Sequence, residues 1–348
     1  MPQSRTHFAG IGSDPEFLFA TFNEFRAQVI PANTIITVGK PAALNSFIGT
    51  DNHAATAEMR PGPAHNIGRH LYDIAYGLHE TDKWLASNKR FHNVKIVAQP
   101  FVCNEPLGGH VHCSFFVDNP MQALLLKYNR TIQNGRIIIQ NQDDDDPRLS
   151  QEIIDKLAIY WNNYWNNTGN EQHMVSPELF GTWMDYLLSP YECAIQPWWD
   201  RTRRNVTYGG VTGRGEKVRQ NISTPKGSKA KKFLYLHYEY RVPSTWLCHP
   251  WLAYAYLGLA KLVMLNTEYI TTVMAKENLG PLYTATTPKI PEFTEHFMTR
   301  FNALVKTGKW TQDIRGLIEI IPKTFELRDS WWEIPGKPVD IDAWRRLL

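Results

Sequence analysis

The spacing of apolar residues predicts short strands early in the chain and longer helices later. Residues 1–60 read as β-rich sequence with short turns, holding a strand at Phe17, Leu18 and Phe19, an apolar run over 34–38 and an extended segment over 51–60. After Pro61-Gly62-Pro63, the residues Ile67, Leu71, Ile74, Ala75, Leu78, Trp84 and Leu85 fall at helical spacing, with Asn66 placed to cap a helix over 66–89. Strands are expected at 94–97, 101–102 and 110–117, and helical character returns over 121–140. The aromatic residues Tyr160, Trp161, Tyr164 and Trp165 make 150–190 another helical region, whose rings suit a core better than a platform for stacked bases. A strand over 233–242 puts Leu234, Leu236, Tyr238 and Tyr240 on one face and Tyr235, His237, Glu239 and Arg241 on the other. An apolar helix follows over 251–275, then helices at 293–305 and 314–321 and a tryptophan-rich tail. Strands and helices alternate irregularly, which favours an α+β fold over a doubly wound parallel sheet.

Composition narrows the class without naming a function. The 348 residues are 43% hydrophobic and 20% charged with 12 Trp, so the chain is a folded protein and not a disordered one. A net charge of +3 excludes a polycation overall, but the charge is uneven: residues 201–232 hold ten Lys or Arg against the single acid Glu216, leaving the rest of the chain net acidic. Cys103, Cys113, Cys193 and Cys248 form no Cys-x-x-Cys pair and the N-terminus lacks an apolar signal core, so a reducing cytoplasm is expected. The most apolar stretch, 251–265, contains Lys261 and is shorter than the ~20 residues that cross a bilayer, so it reads as a buried helix and no membrane contact is expected.

Ionisable residues at strand spacing carry the chemistry. His110 and His112 lie at i and i+2, Asp14 and Glu16 repeat that spacing, and Glu58 and Glu239 are each followed two positions on by an arginine, Arg60 and Arg241. Residues at even spacing share a strand face, so carboxylates and imidazoles from separate strands can converge. Such a set suits Mg²⁺ or Mn²⁺, which take oxygen ligands and tolerate imidazole, and suits zinc poorly because the cysteines lie outside any ligand spacing. Arginines beside the carboxylates add cations for phosphate oxygens. The run Asp143 to Asp146 reads as a solvated loop, and the glycine-rich 209–215 matches neither the P-loop nor the dinucleotide fingerprint.

Taken in order, GSDPEF (12–17), ATAEMRPG (55–62), GGHVHCSF (108–115) and HYEYRVPSTWL (237–247) resemble the phage and bacterial COOH-NH2 ligase (amidoligase) family, a distant branch of the glutamine synthetase and glutamate-cysteine ligase fold. The resemblance implies a glutamine-synthetase-like curved antiparallel β-sheet with helices packed on its outer face. It implies a single catalytic domain over 1–348, with a helical insertion at 121–200, a basic flexible loop region at 201–232 and a C-terminal helical part at 246–348. ATP and Mg²⁺ (or Mn²⁺) would be the cofactors. Glu16 would be the firmer ligand of the Asp14/Glu16 pair, joined by Glu58 with Asp51 upstream, by His110 and by Glu239. His112 and Ser114 would lie nearer the nucleotide, Arg241 would bind the transferring phosphate, and Arg214 resembles an arginine for phosphate or the tetrahedral intermediate. Asp14 departs from the family by shortening one carboxylate arm.

The reaction implied is amide formation between a small-molecule or peptide carboxylate and an amine through an acyl-phosphate. Two other readings stay open: a nucleic-acid-binding protein using the basic 201–232 segment, and a metal-dependent phosphohydrolase. The first can combine with ligation if the substrate is a modified nucleotide or tRNA. The sequence names neither the substrates nor the oligomeric state.

Overall fold

The computed structural model describes residues 7–22, 27–37, 44, 47–51, 55–99, 101–102, 105–117, 132–133, 136–137, 177–195, 218–223, 234–275, 290–332 and 337–348. Its centre is the 16-residue strand β1 (His7–Phe22), which pairs antiparallel with β2 (Ala27–Ile30), β4 (Ala57–Met59), β5 (Lys95–Val97) and β8 (Gly109–Val117). β3 (Ile48–Thr50) extends the sheet beyond β4, while β12 (Leu234–Tyr240) and β11 (Val218–Ser223) extend it beyond β8. The resulting order is β11-β12-β8-β1-β4-β3, with β2 and β5 also on β1. Two short hairpins lie apart from it: β6 (Phe101–Val102) with β7 (Glu105–Pro106), and β9 (Ile132–Gln133) with β10 (Arg136–Ile137).

Alternation along the central strands separates two faces. Ile11, Phe17 and Phe19 of β1, Val111, Cys113 and Phe115 of β8, and Tyr238 and Tyr240 of β12 are buried in the main core. That core also contains helices α2 (Ile67–Ser87), α3 (Pro177–Ile195) and α4 (Pro250–Leu265). Phe180 of α3 stacks on Tyr238 with ring centroids 4.8 Å apart, and the Tyr240 hydroxyl donates to Asp185 at 2.6 Å. Each buried large apolar side chain contributes about 1.5–3 kcal/mol relative to exposure, so the even-numbered face of β1 is left to bear the polar chemistry. The α+β expectation therefore holds: an antiparallel sheet with helices in its core.

The remaining helices are α1 (Ala32–Thr37), α5 (Thr267–Met274), α6 (Ile290–Thr307), α7 (Leu317–Trp332) and α8 (Ile341–Arg345). Asn66 caps α2 as its spacing suggested, accepting from the Arg69 N–H. Lys261 of α4 donates to Asp313 at 2.7 Å and to the His65 carbonyl at 2.6 Å, and Asp313 also accepts from the Ile67 N–H. That nearly buried ion pair ties the start of α2 to α4.

Four sequence expectations change. The run at 34–37 is helical and not extended: the Thr34 N–H bonds back to the Pro31 carbonyl at 3.0 Å and Ile35 turns into the core, so burial overrides β-branched preference. The expected single helix over 251–275 divides at Asn266, whose side-chain NH₂ donates to the carbonyls of Leu262 and Lys309. Within 121–140, the described residues pair as β9 and β10, with Gln133 opposite Arg136 and Ile132 opposite Ile137. Within the expected basic flexible loop, Val218–Ser223 is a strand with β12 as its partner. The Asp143–Asp146 run, the aromatic residues 160–165 and the glycine-rich 209–215 lie outside the described residues. Among the described residues, no helix is long and apolar enough to cross a membrane.

Ser13, on the core side of β1, meets fully buried His70 of α2 at 2.8 Å, and the other ring nitrogen of His70 lies 3.0 Å from the Gly62 carbonyl. Burial holds His70 down at about 4, so it is neutral in the folded protein at neutral pH. Its pKa is depressed on folding, so its contribution to stability is complete above about 6.5 and is lost as pH falls towards 4, at about 1.4 kcal/mol per unit. Thermal melts of His70→Gln from pH 7 to pH 4 are expected to show a shallower acid loss than the parent protein. Parallel profiles would contradict the assignment.

Candidate metal centre

Strand register builds the polar face. Asp14 of β1 sits opposite His110 of β8, Glu16 opposite Glu58 of β4, and His112 opposite Glu239 of β12. Arg219 of β11 completes the row by pairing with Glu239. Residues distant in sequence thus become neighbours on one face.

Asp14, His110 and Glu239 come closest together. His110 Nδ1 lies 3.2 Å from Asp14 Oδ1 and 3.3 Å from Glu239 Oε1, and one ligand atom from each of the three residues falls within 4.8 Å of the others. His112 Nε2 approaches Asp14 Oδ1 at 3.0 Å, and Arg241 Nε approaches Glu239 Oε1 at 3.1 Å. His110 and Glu239 are buried and Asp14 is partly so. Although these atoms are at ion-pair distance, Asp14 Oδ1 and Glu239 Oε1 are buried and accept no aligned hydrogen bond. Two carboxylate oxygens lacking aligned donors beside an imidazole nitrogen are a donor set that fits a hard divalent cation.

Charge compensation runs through the imidazoles. Burial by itself raises the Asp14 carboxyl, but the nearby His112 and His110 outweigh it and hold the group well below the usual carboxylate range. His110 shows the reverse balance: burial lowers it, while Asp14, Glu16 and Glu239 together raise it above its ordinary value. Glu58 is pushed up to about 7, chiefly by burial and then by the Asp14 charge, against the opposing effect of Arg60. This crowding of carboxylates is the electrostatic condition under which a bound cation is favourable.

A backbone frame holds the cluster in place. A methyl group on Gly108 would stand 2.6 Å from His110 Nε2 and 3.2 Å from Glu16 Oε2, and one on Gly109 would stand 2.6 Å from Trp246 Cδ1. Gly108 therefore lets the His110 ring lie against the chain, and Gly109 does the same for Trp246. Trp246 Nε1 donates to the Gly109 carbonyl at 2.9 Å, and Thr245 Oγ1 donates to the Glu16 carbonyl at 2.7 Å. Buried Glu192 of α3 accepts the Ser244 N–H at 2.8 Å, anchoring that segment to the helical layer.

The other residues singled out by sequence occupy distinct places. Glu16 is buried beside His110 with its Oε2 accepting the Gly108 N–H, and the β1 carboxylate in the three-residue cluster is Asp14. Glu58 lies on the next strand and is paired with Arg60. Arg60 also donates to the Thr50 carbonyl at 3.0 Å and is half exposed, towards the β3 edge. Asp51 contributes to raising Glu58, and its backbone N–H bonds to the Thr56 carbonyl. Ser114 Oγ stands 3.3 Å from His237 Nδ1. Arg214 lies outside the described residues.

Two residues near the centre were absent from the sequence-derived set. Arg219 Nη1 reaches Glu239 Oε2 at 3.3 Å, and His237 Nε2 reaches His112 Nδ1 at 3.1 Å. His237 carried a usable signal, since it shares the strand face of Glu239. Arg219 was hidden inside a segment whose lysines and glycines suggested a loop.

No protein-family model matches the chain, and no curated protein matches it by sequence. Among solved structures, it is similar to a novel glutamine synthase homolog, with a TM-score of 0.43 and 13% identity, covering 97% of this chain and 70% of that one. It is also similar to a bifunctional glutathione synthetase from Pasteurella multocida, with a TM-score of 0.43 and 12% identity, covering 98% of this chain and 50% of that one. The chain thus spans half the length of the second. Likenesses this distant leave the functional reading to the site itself.

Glu58 supplies a direct check on the electrostatics. Its pKa is raised on folding, so the penalty for ionising it is absent below about 4.5 and grows as pH rises towards 7. The Glu58→Gln protein is expected to be more heat-stable than the parent at pH 8, by on the order of 1–3 kcal/mol, with the advantage vanishing near pH 4.5. An equal or lower melting temperature at pH 8 would overturn this picture of the cluster.

Proposed function

We propose that the chain is an ATP- and divalent-cation-dependent ligase that joins a carboxylate to an amine through an acyl-phosphate. The observation that carries the reading is the convergence of Asp14, His110 and Glu239 with Arg241 beside them. The ordered motifs that resemble the amidoligase family support the same reading.

Asp14, His110 and Glu239 would hold the cation, Mg²⁺ or Mn²⁺, with Glu16 and Glu58 as neighbouring carboxylates. When bound, the cation supplies positive charge to the phosphate oxygens of ATP. Arg241 presents a guanidinium that complements phosphate geometry and neutralises charge developing during transfer. The substrate carboxylate attacks the γ-phosphorus of ATP and ADP leaves. The amine then attacks the acyl carbonyl, phosphate leaves and the amine proton is released. His112 and Ser114 are assigned to the nucleotide side, Arg60 to phosphate at the β3 edge, and Arg214 to phosphate or the tetrahedral intermediate.

Hydroxylamine gives a test that does not require the natural amine, because it traps acyl-phosphates as hydroxamates. With ATP, Mg²⁺, hydroxylamine and a panel of amino and dicarboxylic acids, the protein is expected to release ADP and form hydroxamate only when a carboxylate is supplied. Glu239→Gln and His110→Ala are each expected to lower the rate by at least about 100-fold, the loss associated with removing a principal electrostatic group. ADP release that ignores the carboxylate would favour a phosphohydrolase. Full turnover by either variant would refute the assignment of the centre.

A further inference from the structure

His112 turns a single nitrogen towards the carboxylates: Nε2, 3.0 Å from Asp14 Oδ1. Its other nitrogen, Nδ1, lies 3.1 Å from His237 Nε2, and the two rings meet edge to face with centroids 4.7 Å apart. His237 Nδ1 in turn lies 3.3 Å from Ser114 Oγ. Sheet register produces this chain, because His237 pairs directly with Ser114 while Glu239, two residues on, pairs with His112.

When both rings are neutral, each has one N–H and one lone pair, so the direction of each link constrains the next, whereas a doubly protonated His112 would donate from both nitrogens. If Ser114 donates to His237 Nδ1, then His237 donates from Nε2 to His112 Nδ1, and the His112 proton sits on Nε2. If the links run the other way, His112 holds its proton on Nδ1 and offers a lone pair from Nε2. Rotating the His112 ring by 180° about χ2 would exchange its two edges, and the contact with His237 opposes that rotation. Partners of this kind, engaging the far nitrogen of a site imidazole, set its tautomer and orientation.

We infer that His237 is a positioning residue that selects the orientation and tautomer of His112, and so the character of the one nitrogen facing Asp14. It touches no reacting atom and acts through His112 alone. The inference concerns the same centre as the proposed ligase, but it is tested without ATP, carboxylate or amine, so either idea can fail while the other survives.

The direct test reads the His112 ring in protein carrying ¹⁵N-labelled histidine, by long-range ¹H–¹⁵N correlation at pH 8, with His112→Asn identifying its signals. One tautomer of His112 is expected in the parent protein. His237→Leu should give the other tautomer or an averaged pair, and His237→Gln, whose amide can still meet His112, should restore a single form. A mixture in the parent, or unchanged His112 signals in His237→Leu, would overturn the inference. If His237→Leu does not fold, Ser114→Ala removes the far end of the chain: a changed tautomer balance at His112 supports the inference, and an unchanged one overturns it.

A second readout uses Mn²⁺ alone. Because His112 meets Asp14, one of the proposed ligands, His237→Leu is expected to weaken Mn²⁺ binding about 10-fold or more, and to add no further loss once His112 is already alanine. Equal losses in both backgrounds would show that His237 acts independently of His112.

Discussion

The antiparallel register of β1 with β8 is the constraint on which the rest of the site depends. With Asp14 opposite His110, the polar residues of both strands share one face and Ile11, Phe17, Val111 and Cys113 share the other. A slip of one residue would exchange the two sets, carrying carboxylates into the helical core and apolar side chains to the site. The buried apolar face therefore fixes the geometry of the polar one. Burial that stabilises the fold and placement that creates the site are consequences of one pairing.

Around that register the molecule concentrates negative charge and then compensates it locally. Asp14 and Glu16 lie on β1, Glu58 on the neighbouring β4 and Glu239 on β12 across β8, and the groups that answer them are the imidazoles of His110 and His112 and the guanidiniums of Arg60, Arg219 and Arg241. The balance is uneven across the sheet. Asp14 is held ionised by its histidines, whereas Glu58, facing burial and a neighbouring carboxylate, is pushed towards neutrality. Uneven charge is what one added cation would relieve, which links the electrostatics to the proposed chemistry.

Much of this is legible in the sequence. The i, i+2 spacing of His110 and His112, and of Glu239 and Arg241, announced strand faces, and α2 with its Asn66 cap followed from helical spacing alone. Pairing between strands was not legible, because nothing local says that β8 lies between β1 and β12. Hence Arg219 is not legible: its neighbours in sequence are glycines and basic residues, and only β12 beside it makes it part of a sheet. The helix over 34–37 is hidden for a related reason, since β-branched residues prefer strands until burial of Ile35 decides otherwise. Which β1 carboxylate meets His110 and Glu239 is likewise set by the three-dimensional fold, which brings Asp14 into the three-residue cluster while Glu16 accepts the Gly108 N–H.

The central claim is that Asp14, His110 and Glu239 together form a divalent-cation site. The most direct measurement is anomalous scattering from crystals of the protein grown with Mn²⁺. The account expects an Mn²⁺ peak bounded by the two carboxylates and the His110 imidazole, and its disappearance in crystals of Glu239→Gln. A well-ordered cluster with no peak between these residues, its carboxylates still paired with His110, His112, Arg219 and Arg241, would contradict it.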